Sequence, residues 1–545
     1  MPAPQLLFRS LLVAWLLSLT SAVSSSATFA HEGPAGHSHK TTEGQGSFTA
    51  SGVVYEDLNG NRLRDPDEPG LPNIRVSNGA DIVATDADGK YELTISDDAI
   101  VFVIKPSGWA TPLNANNLPQ FYYIHKPAGS PANFEFPGVA PTGPLPESID
   151  FPLTRQAEPQ TFKVLMFGDP QPRDLREVEF IAHDVIEQII QEHAHDASFG
   201  VTLGDIAFND LDTFGPLNQA IALIGIPWYN VIGNHDLNFE AVDDQRSDET
   251  FERVYGPSYY SFDYGSTHFM VLDDVSWVGA TKGKKGHYFG GLGERQMEFI
   301  RNDLAAIPED QLVVLMMHIP LTDVEDRHEL YRIIEQRPAA VSIAAHAHYL
   351  EHRLIDAQDG WQGPEPHHHI VNVTVCGSWW RGQPDERGIP HTTMKDGVPN
   401  GYSIMEFDGS NYSFEFRAAG RPARYQMNIY APEVMTRQTL ASTVVLANVF
   451  AASPRTVCEI RVGESEWVAM ERLTIADPNY VTETEREAAL GDTAWTPLPA
   501  PRNTPHMYRA LLPTELPLGT HQIEVRARDP HTAEISGKRI FRLEK

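Results

Sequence analysis

The sequence predicts a multidomain chain in which a central α/β layered domain lies between two all-β, sandwich-like domains. Three observations predict it. Apolar runs alternate with helix-spaced apolar residues through the middle of the chain. Short β-type runs separated by Gly, Pro, Asn and Asp clusters precede that region. Strands with few helical signals follow it. A length of 545 residues suits two to four domains, and 41% apolar with 21% charged residues is an ordinary globular mixture.

Residues 1–30 read as an export signal. Arg9 supplies the positive start, residues 11–23 are mostly apolar but short for a span, and Ala22, Ala27 and Ala30 offer cleavage points. A periplasmic or secreted protein is expected, with an uncleaved membrane anchor as the alternative. No later segment has the ~18 consecutive apolar residues of a spanning helix, so none is expected in the mature chain. Residues 31–46, with His31, His37 and His39, read as a polar linker.

Between 47 and 157 the runs 51–55, 74–76, 91–95 and 100–104 predict a small β-sandwich. Asp57, Asn59, Asn61, Asp65 and Glu68 place side-chain oxygens at the first, third, fifth, ninth and twelfth positions of a loop, and the Leu63 carbonyl falls at the seventh. That is calcium-loop spacing. Arg62 stands where a helix–loop–helix site has Gly, so the loop resembles that of surface-protein B-type β domains instead, as does 85–91. An Asx-rich hairpin is the alternative.

From 158 to 420, apolar runs at 162–167, 199–203, 228–232, 269–272, 312–317, 341–345 and 370–375 predict strands. Val178, Ile181, Val185 and Ile189, and later Met297, Ile300 and Leu304, predict amphipathic helices. From 421 to 545 strands return, with one helical signal near 482–490 and clear alternation over 519–528.

Lys+Arg 42 against Asp+Glu 73 gives a formal charge of −31. Such a surface repels polyanions, which excludes a nucleic-acid polymer held along a broad basic groove. A small anion in a metal-dominated pocket is still compatible. Cys376 and Cys458 fall in different predicted domains, so two buried free thiols are expected rather than a disulfide framework.

Five polar clusters each follow an apolar strand of the central domain: Gly168-Asp169-Pro170-Gln171, Gly204-Asp205, Gly233-Asn234-His235-Asp236, His318, and His346-Ala347-His348. Strand ends are where open α/β sheets place ligand sites. Carboxylates, carboxamides and imidazoles are oxygen and nitrogen donors for divalent first-row metals. A carboxylate bridging two ions about 3.5–4 Å apart would clamp the attacking and leaving oxygens of an in-line displacement. Each cluster alone is weak, since Gly-Asp is usually a turn and a lone His usually a core residue. The ordered set points to a two-metal centre.

These motifs resemble the calcineurin-like metallophosphoesterase superfamily, whose pattern is Asp-X-His, Gly-Asp, Gly-Asn-His-Asp/Glu, His, Gly-His-X-His. The resemblance spans the central domain and implies a β-sandwich flanked by helices. Gln171 replaces the usual His, as in an Asp-Pro-Gln subset, and Ala345 replaces the Gly before His346. By resemblance, Asp169, Gln171 and His348 hold the first metal, Asn234, His318 and His346 the second, and Asp205 bridges them. The metals implied are two divalent or mixed-valence ions of Mn, Fe or Zn. His235 contacts the phosphate or protonates the leaving oxygen, with Asp236 orienting its ring. Exported bacterial members with flanking β domains have the same layout.

Arg173, Trp379, Trp380 and Arg381 are candidate substrate contacts, since Arg suits bidentate phosphate binding. The alternative for the tryptophans is packing against the C-terminal domain. His367-His368-His369, at the start of a strand, reads as structural. The function expected is hydrolysis of a small-molecule or lipid-derived phosphate ester by metal-activated water. The alternatives are a phosphodiesterase acting on phospholipid head groups or other diesters, and a surface binding protein with a vestigial metal site.

Overall fold

The computed structural model describes residues 46–192 and 196–545. The segment read as an export signal, and His31, His37 and His39 of the segment read as a linker, lie outside the described residues. Among those described, no helix is long and apolar enough to cross a membrane.

The first part consists of two four-stranded sheets. One runs in the order Lys90–Ile95, Phe48–Glu56, Phe151–Arg155, Trp109–Ala110, and the other Ile82–Ala84, Arg75–Ser77, Ala99–Val103, Tyr122–His125. Alternation in Lys90–Ile95 buries Tyr91, Leu93 and Ile95 on one face. The core between these sheets is continuous with that of the central domain. Val101, Phe102 and Phe121 belong to the same apolar cluster as the central domain, and Phe102 meets Phe299 edge-on at 5.7 Å. Charge reinforces the seam: buried Lys105 donates to Glu158 and to the Asp263 carbonyl, each at 2.7 Å.

The central domain packs two sheets face to face. The first is ordered Trp228–Val231, Phe199–Leu203, Thr161–Phe167, Gly401–Asp408, Asn411–Ala418, and the second Tyr260–Tyr264, Thr267–Val271, Leu312–Met316, Ala340–Ala344, His367–Val371, Glu351–Ile355. Most of their inner strands are parallel and almost wholly buried, hence the continuous apolar runs, while Gly401–Asp408 runs antiparallel to both its neighbours. Helices cover the outer faces. The segment Leu175–Ile181 continues through a π turn at Ala182–Ile186 into Glu187–Gln191, burying Val178, Ile181, Val185 and Ile189 as the spacing predicts.

The last part is a second sandwich of four and five strands with its own core around Val445, Ile460, Ile523 and Val525, and with the predicted helix at Pro478–Leu490. Its hairpin turn docks on the central domain: Phe414 N–H donates to the His531 carbonyl at 2.7 Å, and the His531 ring stacks on Tyr412 and His368. Cys376 and Cys458 are both free and buried.

Candidate metal centre

The donors stand at the carboxyl ends of parallel strands, where the two sheets meet through a Gly168–Thr374 bridge. Asp169 and Gln171 follow Thr161–Phe167, Asp205 follows Phe199–Leu203, and Asn234 follows Trp228–Val231. His318 follows Leu312–Met316, and His346 and His348 follow Ala340–Ala344. Asp169, Gln171, Asp205, His346 and His348 all have positive φ, between 35° and 63°. Non-glycine residues rarely accept that backbone, and such strain gathers where a structure needs side chains to converge. Two glycines allow the approach. A methyl on Gly204 would sit 2.5 Å from His318 Nδ1, and one on Gly233 2.0 Å from the Asp205 nitrogen. The methyl of Ala345, where the family has Gly, is accommodated because Gly168 faces it.

One donor cluster joins Asp205, His318, His346 and Asn234. His318 Nε2 is 3.1 Å from Asn234 Oδ1, 3.1 Å from His346 Nδ1 and 3.3 Å from Asp205 Oδ1. His318 Nδ1 donates to the Leu203 carbonyl at 2.9 Å, which fixes the tautomer and turns a lone pair inward. Oxygen and nitrogen donors therefore face one another across a buried space, an arrangement that a cation resolves, whether a proton on Nε2 or a metal ion. Burial would lower the His318 pKa, but Asp205 and Asp169 push it up to about 10. Burial would raise Asp205, but His318 and His235 hold it well below the usual carboxylate range. Such a field favours positive charge at this point.

The second cluster joins Asp169, His348, Gln171 and Asp205. Asp169 Oδ2 is fully buried without a hydrogen-bond donor and lies 3.1 Å from His348 Nε2. His348 Nδ1 donates to the Gly377 carbonyl at 2.6 Å, again presenting Nε2 inward. Gln171 is turned differently from the expectation: its Nε2 donates to Asp205 Oδ2 at 2.8 Å, and its oxygen faces Cys376 Sγ at 3.6 Å. Ligation through Oε1 requires the carboxamide to rotate by half a turn. An orphaned buried carboxylate oxygen and a thiolate-free N/O donor set fit hard or borderline divalent ions in both clusters.

The surroundings depart from expectation in three places. Asp236 does not orient His235. Its carboxylate accepts from the backbone N–H groups of Ile206, Ala207 and Gly233 at 2.8–3.1 Å, because the loop turns it back toward the Gly-Asp segment. The ring partner is Asn209, whose Oδ1 is 2.6 Å from His235 Nδ1. Asn209 lies four residues beyond Asp205, an Asx signal in the sequence that pattern-matching passed over.

Trp380 is not an open substrate wall, being 5% exposed. At φ 53° it turns inward, donates to the Pro170 carbonyl at 3.3 Å and packs on Phe180. Trp379 covers His348 at 3.9 Å between ring centroids, and Arg381 lies over Trp379. Arg173 is not an open phosphate clamp: it pairs with Glu177 at 2.8 Å, donates to the Trp379 carbonyl and lies over Phe208. His367, His368 and His369 are buried, with Ser342 Oγ 2.8 Å from both His367 and His369, and are structural as expected.

In the calcium-type loop, Asp57 and Glu68 are each 5% exposed. Asp57 accepts from the nitrogens of Gly60 and Arg62, and Glu68 from those of Leu58 and Asp65. Asn59 and Asn61 both donate to Asp65 Oδ2, and the Asn61 oxygen accepts from the Leu63 nitrogen.

Fold and site together define a metallohydrolase whose donors come from both sheets of one sandwich. Residues 162–350 match the family described as calcineurin-like phosphoesterase, while 57–140 match its N-terminal and 369–534 its C-terminal companion domain. The chain belongs to the calcineurin-like phosphoesterases and is a metal-dependent phosphoester hydrolase. No curated protein sequence matches it. Similar solved structures include a dimetal phosphatase from Danio rerio, 13% identical, covering 47% of this chain and 96% of that one with a TM-score of 0.33. A purple acid phosphatase, PPD1, from yellow lupin (Lupinus luteus) seeds is 12% identical, covering 69% of this chain and 67% of that one with a TM-score of 0.35.

Proposed function

We propose that this chain is an exported phosphatase or phosphodiesterase of small-molecule or lipid-derived esters, working with two first-row metals of the Mn, Fe or Zn group. The observation that carries it is the pair of buried donor clusters sharing Asp205. Asp169, Gln171 and His348 hold one ion, Asn234, His318 and His346 the other, and Asp205 both. When bound, such ions acidify water and neutralise phosphate oxygens. The protein's own contributions are separate. The Leu203 and Gly377 carbonyls keep the His318 and His348 lone pairs aimed inward. Asn209 accepts from Nδ1–H of His235, so the proton given to the leaving oxygen is the Nε2–H of the imidazolium, which returns the ring to the neutral Nδ1–H tautomer.

Reconstitution with Mn²⁺, Fe²⁺ or Zn²⁺, followed by turnover of nitrophenyl phosphate and bis-nitrophenyl phosphate, tests this reading. Two metals per chain with hydrolysis of at least one ester supports it; metal uptake without turnover favours a vestigial site in a binding protein. Export predicts a mature N-terminus near residue 31, read by mass spectrometry of secreted material.

We also propose that Asp57, Asn59, Asn61, Leu63, Asp65 and Glu68 hold calcium. Asp57 and Glu68 are buried carboxylates with no cationic side chain paired to either among the described residues, and a bound ion would stabilise the fold by mass action. Chelator should lower the melting temperature of the full chain, and Asp57→Asn should abolish that response. A melting temperature indifferent to calcium and chelator would refute the loop.

A further inference from the structure

The hairpin Val275–Val278 and His287–Gly290 contributes no metal ligand, yet it is bolted to the loops that do. At its root, Asp274 Oδ1 accepts from the backbone N–H groups of His318 and Ile319, each at 3.1 Å. Along its length, Trp277 is buried, donates to the Ala241 carbonyl at 3.0 Å and meets Phe239 edge-on at 5.5 Å, which clamps it to the segment after Asn234 and His235. On the returning strand, half-exposed Tyr288 stands edge-on to His346 with ring centroids 6.1 Å apart. The hairpin is a fixed wall of the metal pocket.

Its tip carries Lys282, Lys284 and Lys285. The chain has eleven lysines, so three of them fall within four residues of a protein with formal charge −31. All three are exposed, and none is ion-paired among the described residues, whereas Lys105, Lys126 and Lys163 each meet a carboxylate. Two backbone hydrogen bonds between Thr281 and Lys284, with Gly283 at φ 86°, hold the turn that gathers them. Clustered like charges repel and add nothing to folding, so their partner comes from outside. Lys284 closes that turn just before the strand His287–Gly290 and, four residues from Tyr288, shares its parity; at ~3.3 Å per residue it lies within roughly 13 Å of Tyr288, the residue that borders His346.

We infer that Lys282, Lys284 and Lys285 form a second anion subsite, and that the substrate is a phosphate ester bearing another phosphate or carboxylate group on the order of 10 Å from the reacting one. The inference rests on the phosphoesterase reading of the metal centre and narrows its substrate class.

The test compares the full-length, metal-loaded protein with the triple variant Lys282→Gln, Lys284→Gln, Lys285→Gln. On hexyl phosphate the variant should retain kcat/KM within about twofold. On hexane-1,6-diyl bisphosphate it should lose roughly tenfold, carried by KM, and the wild-type preference for the bisphosphate should fade with added salt. Calorimetry with the non-hydrolysable hexane-1,6-diyl bisphosphonate should show a similar weakening. Equal effects on the two esters, or unchanged bisphosphonate binding, would overturn the subsite. So would loss of binding to phosphatidylglycerol vesicles with bisphosphonate binding intact, which would make the tip a membrane anchor. If the wild type hydrolyses neither ester, the hydrolase reading fails, and the calorimetric comparison decides the subsite by itself.

Discussion

Asn209 holds His235 at two points: its backbone N–H donates to the His235 carbonyl at 3.2 Å, and its side-chain oxygen accepts from Nδ1 at 2.6 Å. Phe208 stacks on the same ring at 4.4 Å. The imidazole is thereby fixed in plane and tautomer. His235→Ala should keep both metals and lose roughly 10²–10⁴ in rate, most for alkyl esters and least for nitrophenyl esters, whose leaving groups need little protonation. Asn209→Ala should show the same leaving-group pattern at smaller amplitude. Equal slowing of both ester types would make His235 an electrostatic phosphate contact instead.

Asp205 bears on both donor clusters: Oδ1 is 3.3 Å from His318 Nε2, and Oδ2 is 2.8 Å from Gln171 Nε2. Asp205→Asn removes the charge that both ions need. It should strip at least one metal and abolish turnover, as read by elemental analysis beside the rate. Two metals per chain and normal activity in this variant would contradict the bridging role.

Gln171 is the weakest donor in the set, because a carboxamide oxygen binds first-row metals less strongly than imidazole. Gln171→His should tighten the first site and shift its preference toward Zn²⁺ or Fe. Competitive metal titration with unchanged affinity and preference would mean that the carboxamide stays turned toward Asp205, as in the structure.

The metal clusters were legible because their cause is local. A strand must end, a glycine such as Gly204 or Gly233 must let the backbone pass close, and the donor follows at once. What was illegible depends on segments crossing. Asn209 reaches His235 from a separate loop, 26 residues away in sequence. The resemblance gives that part to Asp236, yet the loop sends its carboxylate back to Ile206, Ala207 and Gly233. Trp380 reads as a substrate contact or as packing against the C-terminal domain, and its positive φ instead turns it onto Pro170 and Phe180. The two-sheet form of the first part followed from alternation, but its shared core with the central domain did not, since Phe102 meeting Phe299 leaves no periodic trace.

The same seam makes stability depend on pH. His268 is fully buried, with Nδ1 2.8 Å from Asp263 and Nε2 3.0 Å from Asp303, and Arg75 of the first part pairs with both carboxylates. Burial works to lower the His268 pKa, but Asp303 and Asp263 drive it up to about 9. A histidine raised above its unfolded value near ~6.5 gives its full stabilisation below that value and loses it as pH rises through about 9. The amount is on the order of 3 kcal/mol. In metal-free protein, denaturation midpoints should therefore fall between about pH 6.5 and 9, and His268→Gln should flatten that slope while lowering stability at neutral pH. Acid acts with the opposite sign elsewhere. Burial holds His352 and His367 down to about 4, so the unfolded chain takes up their protons first as pH falls below ~6.5. Stability should peak near the unfolded histidine pKa, and an alkaline limb unchanged in His268→Gln would show that this ring is neutral in the folded protein.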